Sequence, residues 1–374
     1  MNEVMYQDIV KKMKQGYFPI MIGGDHTVAI PSSLADCYNN EEIGMIWIDA
    51  HGDYNTFETI CQLRFACGKN PPFRGEKGTD MVYFLYNALA NNGHGAAVLP
   101  EAEARFPDME STRVDYVGLD IGKFFDSLRP DDFVVLSGGD GTLNRFANDL
   151  GDRELPCDIY LWKAGTGNDF LRDVADKSQD GLCLINPYLK DLPTVTVKGK
   201  TTKYLNGIGY GIDGTACEVA DQQRAAGKTD IDYTAISVKL LLGSYKCPSA
   251  KITVDGVTHV YKHVWLASAM KGRYYGGGMN AAPMQDRTSG KLTCAVWHDA
   301  PRLITLMRFP KIFKGEHAKY RKMVDFFVGD EITVEFDRPN ALQIDGETVL
   351  AVNSYTARTA KAEARRKAKE AAEA

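Results

Sequence analysis

Twice in close succession an apolar run enters a glycine-rich turn and leaves it as a helix. FVVLS runs into Gly138-Gly139-Asp140-Gly141-Thr142, and CDIYLW runs into AGTGNDF at residues 164–170. A third apolar run, MVYFLYN from Met81, opens the same region. Short apolar strands alternating with helices build a parallel α/β sheet. In such a sheet the loops after the strands share one edge, and ligands bind at that edge.

The first turn has a direct physical reading. A buried strand ends at Ser137, and the helix is expected to start near Thr142. Gly138, Gly139 and Gly141 are expected to supply backbone angles closed to other residues. Successive N–H groups can then converge on an anion, and the positive end of the helix faces the same point. Asp140 can orient a magnesium ion or hydrogen-bond the loop. Thr142 can cap the helix or bind phosphate. No Gly-Lys-Ser/Thr follows the glycines, so this is not a Walker A loop.

Downstream the pattern changes. TVTVKG, KITVDGVTHVYKHVWLASA, KLTCAVW and EITVEF are β-rich and often alternating, with Gly and Asp turns between them. They predict an antiparallel sandwich, interrupted by apolar helices at TAISVKLLLGSY and around Leu303–Lys314. The expected organisation is a short α/β fragment over 1–66, a linker over 67–80, an α/β domain over 81–186, a β-rich domain over 187–355 and a charged Ala/Lys/Glu tail over 356–374. With 374 residues and 44% hydrophobic content the chain can bury two cores. A net charge of -5 argues against a nucleic-acid partner. The 8 cysteines form no CxxC pair, which suits reduced thiols in a cytoplasm. No apolar run reaches the roughly 18–20 residues of a membrane span.

GGDGTLN followed by GTGNDF resembles the catalytic domain of diacylglycerol kinases, the soluble bacterial lipid kinases and their sphingosine kinase relatives. YNALANNGHG after the first strand, LNGIGYGIDG, YYGGGMNAAP and IDGET extend the likeness from about Met81 to Tyr355. The resemblance implies an α/β nucleotide-binding domain joined to a β-sandwich domain, with the active site between them. It implies ATP as donor, Mg2+ as helper ion and a lipid hydroxyl, diacylglycerol-like first and sphingoid second, as acceptor. It implies that Asn87 and Asn91 line the nucleotide and that Gly138 through Asn144 hold the phosphates. Gly165, Thr166, Asn168 and Asp169 belong to the same nucleotide site by this likeness. Glu347 is the implied proton acceptor, with Asp345 a weaker rival. A cytoplasmic enzyme meeting its lipid substrate peripherally at the inner face of a membrane is the expected setting. RFPKIFKGEHAKYRK, which mixes Phe and Ile with basic residues, can lie against an anionic surface or be a solvated helix.

The sequence departs from the family at several points. Ala88 stands where Pro is usual, Asn91 near a usual Gly, and Lys163 where a Pro often stands. In the stretch matching a structural magnesium turn, Asp286 is present but Ser289 replaces a liganding Asp, and Ser is a poor ligand for a hard cation.

A second resemblance sits ahead of the first. IGGDHT and WIDAHGD place His26, Asp49, His51 and Asp53 at strand ends, a donor set suited to Mn2+. They resemble the arginase and agmatinase family of ureohydrolases, with Thr27 for a usual Ser. The likeness covers only the first 60 or so residues, and a second Asp-x-Asp pair is missing. The segment is therefore expected to be a non-catalytic remnant, with manganese ureohydrolase-like activity or residual metal binding as the alternative.

Overall fold

The computed structural model describes residues 81–88, 95–164, 167–178, 181–228 and 231–373. The expectations for residues 1–80, and those for Asn91, Gly165 and Thr166, lie outside the described residues.

The α/β domain is built on β1 (Met81–Tyr86), β2 (Glu110–Asp115), β3 (Phe133–Gly138), β4 (Asp158–Lys163) and β5 (Leu182–Leu184), in the order β2-β1-β3-β4-β5. The first four are parallel, and β5 runs antiparallel to β4. α1 (Leu99–Glu103), α2 (Ile121–Asp126) and α3 (Asp140–Leu150) return the chain between the parallel strands, and α4 (Asp169–Asp173) follows β4. β3 is apolar on both faces because it is central, and Val134, Val135 and Leu136 are fully buried. Leu143, Phe146, Ala147 and Leu150 form the buried stripe of α3, at the i, i+3, i+4, i+7 spacing of a helix packed on a sheet. Gly151, at φ 66°, ends that helix.

After α5 (Asn186–Leu189) the chain becomes antiparallel. A ten-stranded sheet comprises β6 (Thr194–Val197), β7 (Lys200–Lys203), β8 (Gly207–Tyr210), β9 (Ala250–Val254), β10 (Val257–Tyr261), β11 (Val264–Met270), β14 (Leu292–His298), β15 (Val324–Gly329), β16 (Glu331–Ile344) and β17 (Glu347–Arg358), while β12 (Tyr274–Tyr275) and β13 (Met279–Asn280) pair apart from it. β16 holds it together. Its first half, Ile332 to Phe336, pairs with β9, and its second half, Leu342 to Ile344, pairs with β8. The register shifts between Glu335 and Asn340, where Pro339 needs no ladder bond. Tyr210 stacks on Phe336 at 3.8 Å, inside a core with Ile252, Val334 and Leu342.

α6 (Ile212–Ala225), α7 (Tyr233–Lys239) and α8 (Arg302–Arg308) cover a further apolar cluster around Trp265 and Trp297. The charged tail is helical as α9 (Ala360–Glu373). Among the described residues, no helix is long and apolar enough to cross a membrane.

Candidate active site

Strand order creates the site. From β1 the chain crosses to β2 on one side, and from β3 it crosses to β4 on the other. The loops after β1 and β3 therefore diverge, leaving a crevice between their carboxyl ends. Tyr86 pairs with Ser137, so both strands end level. Asn87 follows one strand, and Gly138 and Gly139 close the other.

The helix starts earlier than the sequence suggests. α3 begins at Asp140, with Gly139 as its N-cap at φ −100°, and no side chain caps it. Thr142 is thus inside the first turn and is not the cap. None of Gly138, Gly139 and Gly141 has a positive φ, so backbone freedom is not why they are glycine, and no left-handed nest forms. Gly138 is glycine for space: a Cβ there would lie 2.5 Å from the Thr142 Cβ. Gly141 is different, because a Cβ there would meet nothing within 4 Å. Neither angle nor crowding within the chain demands glycine at that point, which fits a bound group approaching the helix end closely. Ser137 Oγ, buried at the same edge, has no hydrogen-bond partner. An uncapped helix N-terminus, open space over Gly141 and an orphaned hydroxyl together suit nucleotide phosphates.

Asp140 acts as a clasp. Its carboxylate accepts the N–H groups of Asp169 and Phe170, each at 2.8 Å, and the Asn206 side-chain amide at 2.9 Å. One side chain thus ties the β3 loop to the β4 loop and both to the second domain. Asn168 holds a left-handed conformation at φ 53° ahead of α4 and is buried. The Asp169 carboxylate accepts the Gly277 N–H at 2.7 Å, and burial pushes its pKa up to about 6. Asn144 turns from the phosphate side and donates to Asp345 at 2.7 Å.

Asp345 and Gly346 form the tight turn between β16 and β17, with φ 47° and 95°. Two positive φ values in a two-residue hairpin are why the sequence there reads Asp-Gly. Asp345 is half-buried, and its carboxylate accepts four bonds, from Leu205, Asn206 and Gly207 N–H at 2.6, 2.8 and 3.0 Å and from Asn144. Burial raises its pKa against the pull of these donors. Its acceptor capacity is occupied, which weakens its rivalry for the base role. Glu347, two residues on, opens β17 with an exposed side chain.

Sequence reasoning missed the rest of the domain seam. Asn148 exchanges two hydrogen bonds with the Lys203 backbone, at 2.9 and 3.1 Å. Asp173 binds Arg273 at 2.7 Å and Arg287 at 2.9 Å. Arg287 also donates to the Leu205 carbonyl and the Asn206 side chain. Only Asn206 carried a signal, through its place in LNGIGYGIDG. Asp286, by contrast, accepts the Thr288 N–H and hydroxyl at 2.8 and 2.7 Å within its own turn. Among the described residues no three His, Cys, Asp or Glu side chains are grouped to hold an ion.

An α/β sheet is thus clasped at its switch point to an antiparallel domain, with the open end of a helix beside the crevice. Residues 81–191 match the family described as Diacylglycerol kinase catalytic domain. Residues 206–360 match the YegS C-terminal NAD kinase beta sandwich-like domain, and residues 1–67 match the Arginase family. In succession the chain thus matches an arginase-like segment, a diacylglycerol kinase catalytic domain and a sandwich domain, which supports a kinase acting on a lipid. It is 28% identical over 257 residues to the Diacylglycerol kinase of Mycobacterium tuberculosis, covering 62% of this chain and 79% of that one. It is 41% identical over 58 residues to the Arginase of Bacillus subtilis, covering 16% of this chain and only 20% of that one. A solved Bacillus anthracis structure assigned as a diacylglycerol kinase shares the fold, with a TM-score of 0.55, 19% identity and coverage of 78% of this chain and 95% of that one.

Proposed function

We propose that the chain is an ATP-dependent lipid kinase with a diacylglycerol-like acceptor, and that Glu347 is its general base. The observation that carries this reading is the Asp345 anchor. It fixes the hairpin bearing Glu347 to Asn144, one turn from the start of α3, so the base and the phosphate loop are held by one carboxylate. ATP supplies the phosphoryl group, and magnesium screens its charge. The acceptor oxygen bonds the γ-phosphorus as the bridging O–P bond breaks, and Glu347 takes the hydroxyl proton. Its exposure leaves it reachable by an acceptor, unlike Asp345.

Labelled ATP incubated with lipid vesicles should place label in phosphatidic acid when diacylglycerol is present. Label in another lipid instead would move the acceptor to a sphingoid or other class. Glu347→Gln should lower kcat by at least about 100-fold, the lower range for general-base catalysis, with ATP affinity nearly unchanged. Transfer near the original rate would remove Glu347 from the base role. For residues 1–67 we propose a non-catalytic remnant, because the matched stretch is about a fifth of the arginase. Manganese-dependent urea release from arginine would overturn that.

A further inference from the structure

Two helical segments on the sandwich domain lie side by side. α7 continues into the turn Leu240–Ser244, and α8 into the turn Phe309–Lys314. Arg302 staples them together. Its guanidinium donates to the carbonyls of Leu240 (3.2 Å), Leu241 (2.9 Å) and Tyr245 (2.7 Å) and lies over the Trp265 ring. The inward faces join the apolar cluster around Trp265 and Trp297, yet both segments also present apolar side chains outward. Val238 and Leu242 are 40% and 62% exposed, and Leu303 and Met307 are 66% and 60% exposed. Each pair has the i, i+4 spacing that stacks side chains on one face. Phe313, 44% exposed, extends the row.

Charge singles this face out. Residues 233–247 and 301–315 contain Lys239, Lys246, Arg302, Arg308, Lys311 and Lys314, and no Asp or Glu. The chain as a whole has 49 acidic residues in 374, so thirty residues would average about four. Asp232, Asp299 and Glu316 bound the two stretches, so carboxylates stand at their ends while the exposed apolar side chains alternate along the chain with cations only. Lys239, Lys246 and Lys314 are exposed, and Lys311 pairs with Glu316, just beyond the patch. Such a surface is complementary to a bilayer with anionic headgroups, apolar groups entering the boundary region and cations resting on the phosphates. A second copy of the chain fits it poorly, because a two-fold contact would set the cationic rim against itself.

The face also borders the cleft. Gly315, at the end of the α8 segment, packs on Asn280 and Pro283. Asn280 lies just beyond the glycine run whose Gly277 binds Asp169.

We propose that the paired α7 and α8 segments dock the protein on an anionic phospholipid surface and so bring the domain cleft to a membrane-borne acceptor. The purpose rests on the lipid-kinase reading, but the docking itself is separately measurable.

The full chain should sediment with phosphatidylcholine vesicles containing phosphatidylglycerol at least ten-fold more strongly than with pure phosphatidylcholine. Leu303→Asn with Met307→Asn should weaken that binding at least ten-fold while the thermal melt stays unchanged. Lys239→Gln, Lys246→Gln and Lys314→Gln should each weaken it about five-fold, and less at high salt. With a short-chain, water-soluble diacylglycerol the apolar double variant should keep the activity of the unaltered chain and lose it only on vesicles. If the unaltered chain phosphorylates neither form, the kinase reading fails, and vesicle sedimentation alone decides the docking. Equal sedimentation of the variants and the unaltered chain would overturn the proposal. So would self-association that the double variant abolishes in a chain that ignores vesicles.

Discussion

Replacing Asp345 by Asn keeps the side-chain shape and the hairpin, because Asn tolerates a positive φ well. It changes only what the carboxylate offers its four donors. Asp345 Oδ1 accepts Asn206 and Gly207, while Oδ2 accepts Leu205 and Asn144. With the Asn oxygen kept in the first position, its NH2 group faces two N–H donors, one of them at the 2.6 Å of the present Leu205 bond. Both bonds on that side are lost and become donor-against-donor contacts. At roughly 1.5–3 kcal/mol for each hydrogen bond to a charged group, the loss is about 3–6 kcal/mol. Flipping the amide only moves the conflict to Asn206 and Gly207. Urea unfolding followed by circular dichroism should therefore show a midpoint shifted well to lower urea. Since the hairpin also carries Glu347, kcat should fall together with stability, while the isolated effect of Glu347→Gln should leave stability alone. A change below about 1 kcal/mol for Asp345→Asn would refute the view that this carboxylate pins the hairpin to α3 and to residues 205–207.

Two further tests address titration and the phosphate loop. Burial pushes the carboxyls of Asp169 and Asp213 up to about 6, above the roughly 3.9 of an unfolded Asp. The folded state then holds protons that the unfolded state releases, so this contribution is full below about pH 4 and is lost as pH rises through 6. The melting temperature should fall between pH 4.5 and 7, and Asp213→Asn should flatten the slope. A rise across that window contradicts the assignment. Gly138→Ala should destabilise the fold by about 1–3 kcal/mol through its clash with Thr142. Gly141→Ala should leave the melting temperature unchanged or slightly higher and weaken ATP binding at least ten-fold by calorimetry. Unchanged affinity would mean that the space over Gly141 holds no phosphate.

What the sequence revealed depended on whether the information was local. β1, β3 and β4 were legible because central parallel strands are apolar on both faces and stop at glycine turns. β2, Glu110–Asp115, was not, because it is an edge strand whose residues are mostly exposed. Its pairing with β1 fixes the switch point, yet no hydrophobic period announces it. The glycine turn does join a strand to a helix, but its glycines are not kept for their backbone angles. Composition cannot separate a glycine kept for angle from one kept for room, and the contact between Gly138 and Thr142 appears only once α3 starts at Asp140. Asp345 and Glu347 stood out together as Asp-Gly-Glu, but the bonding that engages one and leaves the other exposed depends on Asn144 and residues 205–207, more than a hundred positions away. The same holds for Asp173 with Arg273 and Arg287, whose pairing has no pattern along the chain.

The clasp at Asp140 bears on how such a chain can be taken apart. Its carboxylate is shared between its own domain and Asn206 of the next, and Asn144, Asp169 and Asp173 repeat the arrangement. The glycine loop is therefore shaped partly by a domain that follows it in sequence. Grafting the first domain onto a foreign partner to change the acceptor would strip these carboxylates and amides of their complements. The piece to inherit or transplant is the whole compact unit that holds both domains and the tail helix, and acceptor choice is better altered inside it than by exchanging its halves.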